Sequence, residues 1–354
     1  MTTEEAVIYL TSCAVNEEIP DKELISDIDP EEVLNFAKRH RISCCVAMAL
    51  ESAGIKTKET AKAIAHAMRR NALFEKSLEE VTVRLDEAGI WYVPLKGIVL
   101  KKYYPKPFMR EMVDHDILID PSRAEDVKKI MEGLGFKTKS IGIFHHDEYR
   151  KEPVLNYEMH TSLVMQKPGS KRYEYYRDRR DFLRREDFYL FLVVHEHGHY
   201  YARGTGLRSL LDIYLYLKRE ILDWDYVEKE AVKLEIGEFE RNNRQLAGSL
   251  FSGKKVADEK MLSYILSSGA GGTHSNLVEN RLNESGGNRV IYILKRCAVP
   301  VRSSNPDYQK YARLYPEFYK NKILLPLLPF YRIMQTAKKG RLREELKILW
   351  YHRD

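Results

Sequence analysis

The sequence predicts an α+β protein in which a small mixed sheet is embedded between N-terminal and C-terminal helical regions. Three observations support this fold class. Apolar residues follow a helical period before residue 88, short β-branched and aromatic segments then alternate with helical ones, and the helical period returns from about residue 185. The predicted units are an N-terminal helical region, an α/β core, a C-terminal helical region and a basic aromatic tail, over 1–88, 89–166, 180–300 and 301–354 respectively.

Two helical patterns make up most of the N-terminal region. The first, over 30–53, opens with Pro30 and two acidic residues and is followed by Gly54, which are typical start and stop signals. The second runs from about Lys58 to Ala88 and carries one apolar stripe. Each pattern predicts helical structure over its range.

The period changes at residue 90. The segment 90–95 predicts a strand, and Lys96-Gly97 leads into a short helical turn that Pro105 and Pro107 end. The elements predicted after this turn are a strand over 114–119, a helix over 121–134, a strand over 136–141, and a paired ribbon of 145–151 and 154–164 across Glu152-Pro153.

Helical periodicity then returns in three segments, over 186–202, 207–220 and 225–251. The stretch 267–288 is rich in glycine and serine and is predicted to include a mobile loop.

Composition places the chain among ordinary globular proteins. Charged residues are 31% and hydrophobic residues 44% of the 354 residues, which excludes a disordered or fibrous chain. The four cysteines lack Cys-x-x-Cys spacing, so reduced thiols are expected rather than a disulfide framework or a zinc ribbon. No secretory signal or spanning segment is predicted, because the longest apolar run has eight residues and two prolines. We therefore expect a cytoplasmic protein.

A pair of aspartates gives the first indication of chemistry. Of three Asp-x-Asp triplets, 27–29 and 223–225 precede helical segments and are interpreted as helix-entry acids, whereas Asp114 and Asp116 lead into a β-type run. On a strand, residues i and i+2 project from one face, so these carboxylates can share divalent cations, for which Mg²⁺ or Mn²⁺ suits hard oxygen ligands. The alternative is a pair of solvent-facing acids at a strand start.

Nearby residues favour a phosphate and metal site over that alternative. A strand ends and a short helix begins at Lys96-Gly97, which offers free backbone N–H groups and a cation. Arg110 adds a guanidinium with fork geometry. Glu158 shares a strand face with His160 and is the candidate third carboxylate, either as a metal ligand or as a base. Together these residues predict a site for a nucleoside triphosphate and its metal ion.

The stretch from Val93 to Asp120 resembles the signature of a family of uncharacterised nucleotidyltransferases within the polymerase-beta-like superfamily. The shared features are a Leu-Lys-Gly, a helix, a Tyr-Pro turn, an arginine and an Asp-x-Asp with two hydrophobic residues, here Leu95-Lys96-Gly97, Tyr104-Pro105, Arg110 and 114–118. Later similarities are the acid-x-His of Glu158 and His160, and a helical motif at His199, Gly206, Leu207, Arg208, Asp212 and Ile213. The resemblance covers about residues 30–220.

The resemblance implies metal-dependent transfer of a nucleoside monophosphate from an NTP to a hydroxyl-bearing acceptor, with release of pyrophosphate. The residues assigned to the metal are Asp114, Asp116 and Glu158, those assigned to the phosphates are Lys96, Gly97 and Arg110, and those assigned to the cleft or acceptor side are His160, His199, Arg208 and Asp212. The acceptor is open among a sugar, a small molecule, a protein side chain and RNA. A non-catalytic nucleotide-binding module is the alternative that retains the same site.

Two departures from the pattern affect these assignments. The wider superfamily usually carries Gly-Ser before a shorter helix, whereas here 16 residues separate Gly97 from Asp114. We therefore expect Lys96 to contact phosphate in place of a serine hydroxyl. His115 replaces the hydrophobic residue expected between the two acids, and a buried neutral imidazole there needs a hydrogen-bond partner.

A competing motif lies in the helical segment 186–202. His195, Glu196 and His199 satisfy His-Glu-x-x-His, in which histidines at i and i+4 face the same way and can bind zinc beside a glutamate base. This zinc peptidase needs a third ligand, and Asp212 serves only if the next helix folds back. Otherwise we expect both histidines to form a polar stripe on a packing helix. Arg208 and Asp212, also four residues apart, are expected to pair along one helix or to hold helices together.

The basic charge is concentrated in the tail. Residues 319–354 contain nine Lys or Arg and three acids, a net charge of 9 minus 3, or +6, and the chain as a whole also carries +6, so the rest is neutral. This distribution disfavours a general nucleic-acid binder, which has a basic face on its main body. Two interpretations of the tail remain, a packed helix with a solvated basic face and a peripheral contact with an anionic membrane surface.

Overall fold

The computed structural model describes residues 1–165, 170–177, 184–256, 258–305 and 307–351. Within them, one five-stranded mixed sheet lies between helical regions, and the predicted α+β fold class is confirmed.

The N-terminal region is helical, as its periodicity predicts. Its helices are α1 (Thr3–Asn16), α2 (Pro30–Arg39), α3 (Ser43–Ser52) and α4 (Lys58–Glu87). The pattern over 30–53 is two helices, because Arg41 takes a left-handed φ of 59° while the apolar spacing continues past it. Asp29 caps α2 by accepting a hydrogen bond from the Glu31 amide at 2.9 Å, which confirms its helix-entry role.

The sheet consists of β1 (Tyr92–Pro94), β2 (His115–Ile119), β3 (Lys137–Ser140), β4 (His146–Lys151) and β5 (Leu155–His160). Their order is β1-β2-β5-β4-β3, with β2 and β5 parallel and the other pairs antiparallel. The predicted ribbon across Glu152-Pro153 is therefore the β4–β5 pair. Between the strands lie α5 (Lys96–Leu100) and α6 (Ala124–Gly133).

The two faces of the sheet have different neighbours. On one face, Ile117, Ile119, Tyr157 and Met159 form an apolar core with residues of α4 and α6. Because side chains alternate along a strand, the residues between them project to the opposite face, where Leu118 joins the larger core of the surrounding helices. Acidic residues at the alternate positions of β2 and β5 are thereby kept together on that second face.

The helices that follow the sheet are α7 (Lys171–Arg177), α8 (Arg185–Ala202), α9 (Leu207–Arg219), α10 (Trp224–Lys233), α11 (Gly237–Phe251), α12 (Glu259–Ser268), α13 (His274–Asn283), α14 (Arg289–Cys297), α15 (Tyr308–Leu314), α16 (Pro316–Lys320), α17 (Leu328–Lys338) and α18 (Arg341–Tyr351). The segment 225–251 is divided at Glu235, whose φ is 57°. Of the described helices, none has the length and apolar character that crossing a membrane requires.

The stretch 267–288, expected to include a loop, has turns on both sides of α13, which occupies its middle. Thr273 caps this helix by accepting a hydrogen bond from the Asn276 amide at 3.0 Å. The glycines lie on either side of the helix, where Gly272 and Gly286 take positive φ values of 63° and 64°. The composition of the segment thus reflects its turns and conceals the helix between them.

Candidate active site

Three carboxylates meet on the second face of the sheet. The parallel register of β2 and β5 places Asp116 opposite Glu158. Asp114 precedes Asp116 by two residues, at the entry to β2. Asp116 is buried, and Asp114 and Glu158 are half-buried. The structure therefore brings together the acid pair and the third carboxylate that the sequence predicted on a neighbouring strand.

Asp116 is the most strongly held of the three acids. Its Oδ1 accepts hydrogen bonds from Lys96 Nζ at 2.6 Å and from His160 Nε2 at 2.9 Å. Burial alone raises the pKa of the Asp116 carboxyl, but the charge of Lys96 and the hydrogen bonds from His160 and Lys96 hold it well below its usual range. Asp116 is thus ionised at neutral pH, although it lies inside the protein.

The other two acids are less well compensated. Burial, followed by the charges of Asp116 and Asp114, raises the pKa of Glu158 to about 8. Burial and the charge of Asp116 also raise the pKa of Asp114. Among the described residues, none donates a hydrogen bond to the Asp114 carboxylate. The site therefore holds more acidic groups than its own cations neutralise, a donor set that suits a hard divalent cation.

The Lys96-Gly97 bend places a cation beside these acids. Lys96 takes a φ of 42°, a left-handed conformation that costs a non-glycine residue about 1–3 kcal/mol. Its buried ammonium has a raised pKa, because the charges of Asp116 and Glu158 outweigh the effect of burial. A side chain at Gly97 would collide with Nη1 of Arg110, so the glycine permits this close approach.

Arg110 and Asp212 form a buried ion pair next to the bend. Arg110 donates from Nε to Oδ1 of Asp212 at 2.9 Å and from Nη2 to Oδ2 at 2.8 Å, and the Tyr104 hydroxyl donates to Oδ1 at 2.8 Å. Two of the three guanidinium nitrogens are thereby committed to protein, and the third lies against Gly97. The ion pair observed for Asp212 is with Arg110, where the helical spacing had suggested Arg208.

Arg208, at the first turn of α9, remains directed toward the carboxylates. Its Nη1 donates to the Glu111 carbonyl at 2.9 Å, and its Nε is buried with no hydrogen-bond partner among the described residues. After Lys96, its positive charge opposes the rise in the pKa of Asp114 that burial and Asp116 cause. Arg208 thus has donor capacity left for an anionic ligand.

The histidine pair of α8 also faces the carboxylate site. His195 Nε2 and His199 Nε2 are 3.2 Å apart, and the charges of Lys96 and Asp116 act on both rings. Glu196 points elsewhere and accepts a hydrogen bond from Asn243 Nδ2 at 2.7 Å. In the part of the chain that the structure describes, no third His, Cys, Asp or Glu forms a metal-binding group with His195 and His199. The zinc-peptidase arrangement therefore lacks both its base and its third ligand there.

The environment of Glu196 leads to a prediction about stability. Burial raises its pKa to about 8, from an ordinary value of 4.5. The folded protein therefore keeps a proton that the unfolded chain releases, so the stabilisation is complete below pH 4.5 and is lost as the pH rises through 8. We expect Glu196→Gln to remove this decline, which is roughly 1.4 kcal/mol per pH unit within the window.

Urea unfolding of wild-type protein and Glu196→Gln at pH 5 and pH 8 measures this effect. Glu238→Gln, at an exposed position on α11, is the matched control and keeps the wild-type slope. Equal slopes for wild type and Glu196→Gln contradict a neutral buried carboxyl.

The hydrogen-bond partner expected for a buried imidazole at position 115 is not present among the described residues. The His115 ring is fully buried, and neither nitrogen has a partner among the described residues. The ring instead packs edge to face against Phe74 and Tyr157, with centroid distances of 4.7 Å to each. Burial lowers the pKa of His115 to about 3, so it is a neutral core residue.

Sequence reasoning missed His145 and His146. The β4–β5 register places His146 opposite His160. The ring centroids of His145 and His146 lie 5.1 and 5.0 Å from that of His160. The available signal was the ribbon itself, because a three-residue turn at 152–154 pairs position 146 with position 160.

Fold and site together define an α+β protein whose sheet presents three carboxylates and a buried lysine on the face that meets the helices. The chain belongs to the uncharacterised nucleotidyltransferase family, whose sequence profile matches residues 26–252, more than half of its length. This match confirms the resemblance seen in the motifs and includes each of the site residues described above. No curated protein and no solved structure matches the chain.

Proposed function

We propose that this protein transfers a nucleoside monophosphate from an NTP to an acceptor hydroxyl and releases pyrophosphate, in a reaction that depends on Mg²⁺ or Mn²⁺. The observation that carries the proposal is the pairing of Asp116 with Glu158 across two parallel strands, with Asp114 beside them and Lys96 bound to Asp116. Membership of a nucleotidyltransferase family supports the same class of reaction.

The carboxylates fit a divalent cation by their chemistry and by their charge. Asp114, Asp116 and Glu158 supply hard oxygen donors, and burial together with the charges of Asp116 and Asp114 raises the pKa of Glu158 although Lys96 opposes the shift. Bound there, Mg²⁺ or Mn²⁺ would neutralise charge on the triphosphate. Asp114, with no hydrogen-bond donor among the described residues, is available as a ligand without breaking a contact within the protein.

The chain's own groups provide the remaining roles. Lys96 and the Gly97 backbone are proposed to contact phosphates, with Arg208 as a further cation. The acceptor oxygen attacks the α-phosphorus, the bond to the β-phosphate breaks, and pyrophosphate leaves. Glu158 is proposed as a metal ligand or, in its ionised form, as the group that takes the hydroxyl proton, since a carboxylate whose pKa is raised to about 8 is a stronger base than an ordinary one.

Arg110 is proposed to act mainly by position. Its ion pair with Asp212, which also accepts a hydrogen bond from Tyr104, holds the segment before β2 against α9, and Nη1 is the guanidinium nitrogen left to reach a phosphate. His199 and Arg208 are proposed to lie toward the acceptor. His160, assigned to that side from the sequence, is instead proposed to orient Asp116.

Labelled NTPs test the reaction directly. Each of the four labelled NTPs is incubated with the protein and Mg²⁺ or Mn²⁺. We expect pyrophosphate release together with transfer of label to the protein itself or to a fraction of cell extract. Fractions treated with protease, with ribonuclease or by ultrafiltration separate protein, RNA, and sugar or other small-molecule acceptors. Binding of NTP without turnover in any fraction would instead identify a non-catalytic nucleotide-binding module.

We further propose that the tail contacts an anionic membrane surface. Ile323, Leu327, Phe330 and Met334 are each more than half exposed and lie at near-helical spacing. Lysine and arginine residues accompany this stripe at 320, 322, 338, 339 and 341. An apolar stripe flanked by basic residues binds lipid interfaces through both area and charge.

Vesicle sedimentation tests the tail. We expect the protein to sediment with vesicles containing phosphatidylserine, to release at high salt, and to remain in the supernatant with neutral phosphatidylcholine vesicles. Phe330→Ser reduces the bound fraction, whereas Ile221→Ser, at another exposed apolar position, does not. Equal sedimentation with neutral and anionic vesicles argues against this contact.

A further inference from the structure

Three imidazoles converge where β4 begins and β5 ends. One ring nitrogen of each of His145, His146 and His160 lies within 4.8 Å of the others. The sheet fixes this arrangement, because His146 pairs with His160 in the β4–β5 register and the Thr161 amide donates to the His145 carbonyl at 2.9 Å. Ligands placed by a strand ladder are held more precisely than ligands on a free loop.

Ring nitrogens in this histidine cluster are available to bind a metal ion. Histidine binds metal ions through a ring nitrogen that carries no proton. Nδ1 of His146 and Nδ1 of His160 are buried and have no hydrogen-bond partner among the described residues. Buried polar atoms without partners are costly, and a bound ion would satisfy them.

His160 connects this cluster to the carboxylates in a way that suits a metal ligand. Its Nε2 is hydrogen-bonded to Asp116 Oδ1 at 2.9 Å, which leaves Nδ1 with its lone pair free. Metal-bound histidines commonly donate their other ring nitrogen to a carboxylate, which fixes the tautomer and the ring orientation. Asp116 holds His160 in this way.

The donor set differs from that of the carboxylate site. Imidazole suits zinc and similar transition ions, whereas carboxylate oxygens suit Mg²⁺ and Mn²⁺. The Met165 sulfur, 3.2 Å from His145 Nδ1, adds a soft atom to the surroundings. The cluster therefore selects a different kind of ion from the one proposed for the reaction.

We propose that His145, His146 and His160 form a binding site for a transition-metal ion, Zn²⁺ above all, which adjoins the hard-cation site of Asp114, Asp116 and Glu158 through His160. The bound ion joins the start of β4 to the end of β5 and fixes the orientation of His160 toward Asp116. This site exists whether or not the protein transfers nucleotides, so it does not rest on the proposed function.

Metal titration of chelator-stripped protein tests the site. We expect one tight equivalent of Zn²⁺ in competition with a chromophoric chelator, and we expect His145→Ala and His146→Ala each to weaken binding by more than about tenfold. His66→Ala, at an exposed histidine on α4, is the matched control and keeps wild-type affinity. Asp114→Asn separates the two sites, because it weakens Mn²⁺ binding and leaves Zn²⁺ affinity unchanged.

A second measurement needs no variant. Co²⁺ bound by imidazoles in low coordination gives intense visible absorption, whereas octahedral coordination by carboxylates and water gives weak bands, and we expect the intense form. Weak bands overturn the proposal. So does tight Zn²⁺ binding that survives His145→Ala and His146→Ala but is lost in His199→Ala, because the ion would then belong to the pair on α8.

Discussion

Asp116→Asn is expected to reduce nucleotidyl transfer by at least about 10³-fold while leaving the fold intact. The amide keeps an oxygen that accepts hydrogen bonds from Lys96 and His160, so the local geometry survives. It carries no charge, and its affinity for a hard cation is therefore much lower. The loss should appear in kcat more than in KM, because the charge on the transferring phosphoryl group peaks in the transition state.

The fold should tolerate this change even though Lys96 is buried. Removing the charge of Asp116 lowers the pKa of Glu158, since that charge is among the causes that raise it. Glu158 then ionises and takes over as counter-ion to Lys96. An uncompensated buried ammonium, which would cost several kcal/mol, does not arise.

The matched control is Asp27→Asn. Asp27 belongs to another Asp-x-Asp triplet and lies exposed before α2. Pyrophosphate release with the preferred NTP, together with circular dichroism of each variant, completes the comparison. Full turnover in a folded Asp116→Asn protein would sink the assignment of the site.

The acidic part of the site follows from local patterns in the sequence. The two-residue period of a strand places Asp114 and Asp116 on one face, and a β-ribbon adjacent to that strand supplies Glu158. Both arguments need only neighbouring residues and one strand pairing. The same local logic identifies the helix caps at Asp29 and Asp223.

Contacts between residues far apart in the sequence could not be predicted from such local patterns. Arg110 and Asp212 are 102 positions apart, and the helical spacing offered Asp212 a nearer partner in Arg208. The orientation of α8, which turns Glu196 toward Asn243, depends in the same way on how α11 packs. Breaks at Arg41 and Glu235 were hidden because the apolar spacing continues across a single left-handed residue. Tertiary packing decides such features.

Asp212→Ala is expected to lower the free energy of unfolding by about 3–5 kcal/mol. The change leaves the Arg110 guanidinium buried without its counter-charge and removes the acceptor of the Tyr104 hydroxyl. Asp126→Ala is the matched control, because Asp126 pairs with Arg123 and Lys129 on the surface. Such exposed pairs contribute little to stability, so urea unfolding should separate the two variants clearly.

The double variant Arg110→Met with Asp212→Ala tests whether the two charges stabilise the fold as an ion pair or independently of each other. If the pair acts as a unit, removing both charges recovers much of the stability, because no buried charge is left alone. The predicted coupling between the two substitutions is on the order of 2–3 kcal/mol, and additive losses contradict it.

The NTP affinity of the double variant tests whether Arg110 contacts a phosphate. If Arg110 acts by position alone, the affinity stays close to that of the wild type once the protein is folded, whereas a direct contact between Nη1 and phosphate makes the affinity fall together with the charge.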